Sequence, residues 1–257
     1  MDRAEVMQWR KAERQRLIGE RLAIPGDIRR HQTDQIAANL DEVIGEVHGR
    51  VVSAYWPFRG EPHLRGFMHR VSKRGGRCAL PVVVERGKPL VFRPWSPGEP
   101  LAKGVWNIPV PATTEEVLPD VVIAPVVGFD RACYRLGYGG GFFDLTLAAI
   151  KNSPLKLGVG YRQQALLTIH PQPNDIPMDM VITEEGTFQS EHILEEAGLA
   201  GSAAQSQHLC ILVTWALIQG VRWIVQAPKE RGDGDYAKWF AAFQQRTGPV
   251  VLWRCGY

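Results

Sequence analysis

The ten residues RLGYGGGFFD, at positions 135–144, combine a basic side chain, four glycines and a carboxylate in one short segment. Glycines let the backbone approach a ligand closely, and consecutive free N–H groups in such a turn form a concave site for an anion. The Arg135 guanidinium can bind phosphate oxygens with two nitrogens, and the Asp144 carboxylate suits a hard cation such as Mg²⁺. The segment therefore favours a site for phosphate and a metal ion, with a nucleotide as the first candidate ligand. The alternative is a glycine-rich turn whose aspartate only starts a helix, because short glycine motifs also occur by chance.

A second stretch, WRKAERQR at 9–16, places two cations on one face of a helix. Arg10 and Arg14 lie four residues apart, which is the spacing of neighbours on a helix surface. Two cations on one face could hold a polyphosphate, although a run of charges is usually a solvated surface. The spacing by itself leaves both interpretations open.

Two further carboxylates occupy positions that could face a ligand. Glu61 follows a strand, a proline and a glycine in YWPFRGEPH, and Asp179 stands at the mouth of a strand in HPQPNDIPMDMVIT. Asp179 could join Asp144 around a metal ion or only cap a turn. Glu61 could contact a ligand or only solvent.

The elements that must position these residues alternate between helices and strands. Apolar spacing predicts helices over 5–23, through 36–44, over 63–75 and over 142–152, and strands over 51–58, 78–84, 88–95, 121–129, 156–161 and 178–186. This alternation predicts an α/β architecture with a largely parallel sheet. Ligands of such sheets bind at the carboxyl ends of the strands, where the glycine loop follows the strand at 121–129.

The composition is that of an ordinary soluble protein. The chain has 257 residues, 45% of them apolar and 22% charged, with a formal net charge of +3, which is too small to indicate nucleic acid as the main partner. Four widely spaced cysteines argue against a disulfide scaffold and fit a cytoplasmic location. The N-terminus lacks the apolar core of a secretory signal, and the most apolar window, at 209–221, is too short to span a membrane.

The order of the motifs resembles the 5-formyltetrahydrofolate cyclo-ligase family over residues 5–186, with the run from Arg135 to Asp144 as the most specific part. The resemblance implies an enzyme that uses Mg-ATP to close 5-formyltetrahydrofolate into 5,10-methenyltetrahydrofolate, with release of ADP and phosphate. It also implies a single α/β domain of three layers, with a mostly parallel sheet between helices. We expect this domain over 1–196, a linker over 197–207 and a C-terminal extension of unknown role over 208–257.

The resemblance also implies roles for individual residues. Arg135 and Asp144 take the catalytic positions, and Asp144 and Asp179 match the magnesium carboxylates. The residues that match the ATP site are Arg10, Lys11, Arg14, Arg135, Leu136, Gly137, Tyr138, Gly139, Gly140, Gly141, Phe142 and Phe143. Those expected at the folate are Trp56, Glu61, Trp106, Tyr138 and Phe142. We expect 5-formyltetrahydrofolate and ATP as ligands, no nucleic acid or membrane partner, and a monomer or weak homodimer.

The chain departs from the family pattern beside the glycine loop. Family members usually carry tyrosines and an arginine where this chain has Phe142, Phe143 and Leu145, so two hydroxyls and a cation are missing. A non-catalytic folate or nucleotide binder is therefore the alternative function. A dinucleotide-dependent oxidoreductase is disfavoured because the third glycine of its motif is absent, and no P-loop pattern occurs.

Overall fold

The computed structural model of the chain describes residues 1–189, so the expected linker and C-terminal extension lie outside the described residues. The elements follow one another as α1 (Arg3–Ala23), α2 (Gly26–Ile44), β1 (Val51–Ser53), α3 (Arg65–Lys73), β2 (Arg77–Val82), β3 (Val91–Pro94), β4 (Leu101–Lys103), β5 (Pro109–Pro111), β6 (Val121–Pro125), β7 (Gly128–Phe129), β8 (Arg135–Leu136), α4 (Phe142–Ala149), β9 (Leu155–Val159), β10 (Met180–Thr183) and β11 (Gly186–Gln189). Short 3₁₀ helices cover Val105–Asn107 and Arg162–Gln164.

A seven-stranded sheet in the order β11-β10-β9-β6-β1-β2-β3 forms the centre of the fold. The five strands from β10 to β2 run parallel, while β3 and β11 pair antiparallel at the two edges. The mostly parallel sheet expected from the sequence is therefore confirmed. Its parallel strands all deliver their carboxyl ends to the same edge, where the connecting loops gather.

Apolar side chains cover both faces of this sheet. Leu40 of α2 and Phe67 of α3 belong to the same core as Ile123 of β6, whereas Leu147 of α4 packs against Val122 on the opposite face. Val122 and Ile123 serve different cores because successive side chains of a strand point to opposite faces. The three-layer α/β fold is thus confirmed, and full burial of each such side chain contributes about 1.5–3 kcal/mol.

Helix α1 packs on the segments that follow the strands. It begins with a capping box between Asp2 and Glu5, and Leu17 is buried with Val127 and Ile169 in a small cluster of its own. Because Val127 follows β6 and Ile169 follows β9, this contact brings the basic helix to the carboxyl edge of the sheet.

Prolines lie near two of the differences between the expected and observed strands. The strand expected over 51–58 ends at Ser53, four residues before Pro57, and the strand expected over 121–129 divides at Pro125 into β6 and β7. A proline cannot donate a hydrogen bond to a strand ladder, so it tends to end a central strand. The β4–β5 hairpin and the edge strand β11 were not expected from the sequence. Within residues 1–189, no helix is long and apolar enough to span a membrane.

Candidate active site

A cavity of about 670 Å³ opens where β1, β2 and β6 end. The following residues expected at the site line it: Arg10, Arg14, Trp56, Glu61, Trp106, Arg135, Gly137, Tyr138, Gly139, Gly140, Gly141, Phe142, Phe143 and Asp144. Lys11, Leu136 and Asp179 do not line it. Lys11 is exposed to solvent, and Leu136 is buried beside Leu17.

The glycine loop folds tightly over the Arg135 side chain. A Cβ atom at Gly137 would lie 2.8 Å from Nη1 of Arg135, so a larger residue there would displace the guanidinium. Gly141, with φ of 67°, adopts the left-handed conformation that starts helix α4. The first N–H groups of α4 therefore begin at the wall of the cavity.

Arg135 is a buried cation that holds the Asp144 carboxylate. Its Nη2 donates to Oδ2 of Asp144 at 2.9 Å, and its guanidinium lies over the Phe143 ring at 5.2 Å. Burial lowers the pKa of Arg135, while Asp144 opposes that shift. Nε of Arg135 is buried without a hydrogen-bond partner within residues 1–189, a state that an anionic ligand could relieve.

Arg10 and Arg14 both reach the cavity but make different contacts. Nε and Nη2 of Arg10 donate to the carbonyl oxygens of Ile169 and His170, each at 3.0 Å, and its fork binds Asp175. Nε of Arg14 donates to the Gly137 carbonyl at 2.6 Å. The two Nη atoms of Arg14 have no hydrogen-bond partner in the described part of the chain. Burial, together with the neighbouring Arg10, lowers the pKa of Arg14.

The second carboxylate beside Asp144 is Asp175, which the sequence analysis did not identify. Asp175 lines the cavity, and the N–H of the adjacent Ile176 donates to Oδ1 of Asp144 at 3.3 Å. No group of three or more potential metal ligands of the His, Cys, Asp or Glu type occurs among residues 1–189. Two carboxylates on one wall therefore form the oxygen-rich part of the site.

The structure does not bring Asp179 to Asp144. Asp179 precedes β10 at the amino end of the sheet, where Oδ1 binds Nζ of Lys156 at 3.0 Å and Oδ2 accepts the Lys156 N–H at 2.7 Å. Parallel strands have their amino and carboxyl ends at opposite edges of the sheet. The three residues between Asp175 and Asp179 therefore cross from one edge to the other. The only sequence signal for Asp175 was its place in the same motif, at PND.

Glu61 is buried at the other end of the cavity with defined hydrogen-bond partners. Its Oε1 accepts from the Tyr138 hydroxyl at 2.7 Å, and its Oε2 accepts from the Phe58 N–H at 2.8 Å. Burial raises the pKa of Glu61 to about 7, although the Arg21 cation and these hydrogen bonds act to lower it. Glu61 can therefore change its protonation state near neutral pH.

Aromatic rings line the space between the two ends. Trp56 packs edge-on against Trp95 at 5.8 Å, and Trp106 packs edge-on against Phe142 at 5.8 Å. Trp106 is 55% exposed on the connection between β4 and β5, with a left-handed backbone at φ of 55°. These rings offer flat apolar surface for a planar ligand.

The departures from the family pattern differ in their relation to the cavity. Phe142 and Phe143 line it, and Phe143 also packs against the sheet. Leu145 is 40% exposed and does not line the cavity. The missing cation at position 145 is therefore outside the cavity wall, whereas the missing hydroxyls are on or next to it.

Comparison with known proteins identifies the family of the chain. A sequence profile of the 5-formyltetrahydrofolate cyclo-ligase family matches residues 6–184. The 5-formyltetrahydrofolate cyclo-ligase of Mycolicibacterium smegmatis is 28% identical over 175 residues, which are 65% of this chain and 89% of that protein. The Escherichia coli K12 protein of the same name is 29% identical over 179 residues, covering 66% of this chain and 97% of that protein.

Two solved structures share the fold of this chain. The 5,10-methenyltetrahydrofolate synthetase of Aquifex aeolicus is 28% identical, with a TM-score of 0.60, over 70% of this chain and 92% of that chain. The synthetase of Mycoplasma pneumoniae, at 20% identity, shares the fold with a TM-score of 0.57 over 68% of this chain and 98% of that chain. The resemblance read from the motifs is confirmed: the chain belongs to the 5-formyltetrahydrofolate cyclo-ligase family.

Proposed function

We propose that the chain closes 5-formyltetrahydrofolate into 5,10-methenyltetrahydrofolate in a reaction that uses ATP and Mg²⁺ and releases ADP and phosphate. The observation that carries the proposal is one continuous cavity with two kinds of lining. Arg135 and the glycine loop (residues 137–141) line one part, and the loop after β1 that contains Glu61 (the Glu61 loop) lines the other. A nucleotide in the first region and a folate in the second would meet inside the same space. Names of relatives that describe this activity support the proposal.

In this proposal the phosphates of ATP bind between α1 and the glycine loop. The Nη atoms of Arg14, the Nε of Arg135 and the first N–H groups of α4 are the donors available there. Phosphoryl transfer needs positioning and neutralisation of charge more than covalent participation of the protein. These donors meet that need, and no nucleophilic side chain is required.

Asp144 and Asp175 fit a magnesium ion as its protein ligands. Both are carboxylates on the cavity wall, and Mg²⁺ usually takes one or two carboxylates together with phosphate oxygens and water. The ion would neutralise charge on the transferring phosphoryl group. Arg135 and Arg10 hold the two carboxylates in place through their guanidinium groups.

Glu61 and the tryptophans are the proposed folate contacts. A reduced pterin has adjacent N–H groups that can donate hydrogen bonds to an ionised carboxylate. Glu61 retains oxygen lone pairs beyond those that accept from Tyr138 and Phe58. Trp56 and Trp106 offer ring surface for the planar parts of the substrate. Tyr138 and Phe142 lie between the two ligand regions.

The chemistry follows from the poor reactivity of a formamide. Transfer of the γ-phosphoryl group of ATP to the formyl oxygen makes the formyl carbon electrophilic and gives it phosphate as a leaving group. Nitrogen N10 then attacks this carbon and loses its proton, and departure of phosphate leaves the methenyl bridge. The protein contributes by holding the formyl oxygen near the phosphoryl group.

The test is formation of the methenyl chromophore in the near ultraviolet by purified full-length protein, with ATP, Mg²⁺ or 5-formyltetrahydrofolate omitted in turn. We expect absorbance only with all three, and loss of turnover in Asp144→Ala. The matched control is Asp34→Asn, an exposed position on α2. Saturable binding of folate or ATP without any chromophore would favour the non-catalytic binder instead.

The monomeric or weakly dimeric state expected from the sequence stays a prediction.

A further inference from the structure

Arg21, in the last turn of α1, is a fully buried cation that the sequence did not connect with the site. Nε donates to the Arg59 carbonyl at 2.9 Å, Nη1 to the Val126 carbonyl at 3.2 Å and Nη2 to the Tyr138 hydroxyl at 2.5 Å. It forms no direct ion pair with any carboxylate of residues 1–189. Burying a charge is unfavourable unless hydrogen bonds and an opposite charge compensate it, so the position of the nearest anion matters.

That anion is Glu61, reached through one intervening hydroxyl. The Tyr138 hydroxyl accepts a hydrogen bond from Arg21 and donates its only proton to Oε1 of Glu61. While Glu61 is ionised, the direction of both bonds is fixed, because a guanidinium can only donate and a carboxylate can only accept. The Phe58 carbonyl, a second acceptor near the Tyr138 hydroxyl, lies further away, at 3.4 Å. Arg21 and Glu61 are therefore an ion pair bridged by a neutral tyrosine.

We propose that Arg21 is a positioning residue, which orients the Glu61 carboxylate toward folate through the hydroxyl of Tyr138. The inference rests on the proposed function and deepens it by naming a residue that sets the folate region of the cavity. Arg21 contacts the Glu61 loop at the Arg59 carbonyl and the glycine loop at Tyr138. One side chain of α1 thus joins the segment proposed for folate to the segment proposed for ATP.

The groups that face Glu61 come from three elements. Arg21 belongs to α1, Tyr138 to the glycine loop and Tyr55 to the segment after β1. Burial raises the pKa of Tyr55 well above its ordinary value and also raises that of Tyr138, so both stay neutral near pH 7. Removing either Arg21 or the Tyr138 hydroxyl should therefore raise the pKa of Glu61 and leave less of it as carboxylate at neutral pH.

The first experiment follows the titration of Glu61 in the full-length protein without ligands, by ¹³C NMR of labelled glutamate carboxyls assigned with Glu61→Gln. Tyr138→Phe and Arg21→Gln should each move the midpoint to higher pH. The double variant should move it no further than Tyr138→Phe alone, because Arg21 acts on Glu61 through that hydroxyl. Arg16→Gln, on an exposed turn of the same helix, is the control.

Two results would overturn the inference. A shift in Arg21→Gln without one in Tyr138→Phe would mean that Arg21 acts on Glu61 directly, and additive shifts would mean that the residues act independently. Should Arg21→Gln not fold, Arg21→Lys takes its place in the cycle, since lysine keeps the charge but cannot reach all three acceptors with a fork.

The second experiment measures initial rates of methenyl formation in the same variants. Tyr138→Phe should raise the KM for 5-formyltetrahydrofolate about tenfold, as expected for one hydrogen bond to a charged group. The KM for ATP should change less. In a plot of kcat/KM for 5-formyltetrahydrofolate against pH, the fall on the acid side should move to higher pH. If the wild-type protein gives no product, the proposed function fails, while the titration still decides the role of Arg21.

Discussion

Arg10 holds Asp175 with both ends of its guanidinium, so that an arginine expected to contact phosphate instead fixes a carboxylate on the cavity wall. Arg14, one turn further along α1, uses only its Nε, on the Gly137 carbonyl. Two arginines that look equivalent in the sequence therefore have different partners. Of these two arginines, only Arg14 has both Nη atoms without a hydrogen-bond partner among residues 1–189.

This difference predicts separate kinetic effects for the two arginines. Arg14→Ala should raise the KM for ATP by about tenfold or more, because it removes charge-assisted hydrogen bonds to phosphate. Arg10→Ala should mainly raise the Mg²⁺ concentration needed for half-maximal rate, because Asp175 loses the guanidinium group that holds it in place. Initial rates measured at varied ATP and fixed free Mg²⁺, and at varied free Mg²⁺ and fixed ATP, distinguish the two variants. An unchanged Mg²⁺ requirement in Arg10→Ala would contradict this assignment.

The carboxylates predict a second pattern. Asp144→Asn and Asp175→Asn should each lower turnover at least about tenfold and raise the Mg²⁺ requirement, since each removes an anionic oxygen ligand. Asp179→Asn should keep the Mg²⁺ requirement of the wild type and lower thermal stability, because its contacts are with Lys156. Rates at stepped Mg²⁺ concentrations and thermal unfolding provide the measurements. A Mg²⁺ requirement raised only by Asp179→Asn would restore that residue to the metal site.

Glu61 predicts how the free energy of unfolding depends on pH. Its pKa is raised from 4.5 to about 7 in the folded protein, so folding favours the protonated form. The associated stability is fully present below about pH 4.5 and is lost as the pH rises through 7, a change of about 3 kcal/mol. Glu61→Gln lacks this loss and should therefore gain stability relative to the wild type between pH 5 and pH 8. Urea unfolding of both proteins at pH 5 and at pH 8 measures this difference in the free energy of unfolding. An equal change in the free energy of unfolding between the two pH values for wild type and Glu61→Gln would contradict the prediction.

Two glycines provide a matched pair of substitutions. Gly137→Ala should sharply lower ATP binding, because the added Cβ would lie 2.8 Å from Nη1 of Arg135. Gly19→Ala, inside α1 with no atom within 4 Å of the added Cβ, should instead stabilise the protein by about 0.5–1 kcal/mol without affecting ATP binding. Calorimetric titration with ATP and thermal unfolding test both. Equal ATP affinity in the two variants would show that the loop tolerates a side chain.

The fold and the glycine loop could be predicted from the sequence because each depends on local patterns. Apolar runs identify the buried strands, and the glycines between Arg135 and Asp144 leave few alternatives to a tight loop. The β4–β5 hairpin and β11 could not be predicted in this way, since short strands at an edge carry little apolar signal.

The choice between Asp175 and Asp179 shows where sequence reasoning ends. Both occur in one motif, and the difference between them depends on which edge of the sheet each reaches. Arg21 presents the same problem, because in the sequence it is one of many charges on α1 and its burial follows only from tertiary contacts. Long-range packing, which a local pattern does not encode, decides both cases.

The amino edge of the sheet, opposite the cavity, is held by aspartates of its own. Asp179 joins the starts of β9 and β10 through Lys156, and Asp120 accepts the Val51 N–H at 2.7 Å and so joins β6 to β1. Anchoring contacts and reactive groups thus occupy opposite ends of the same strands. Contacts such as Asp179–Lys156 can therefore be strengthened by protein engineering without changing any residue that lines the cavity.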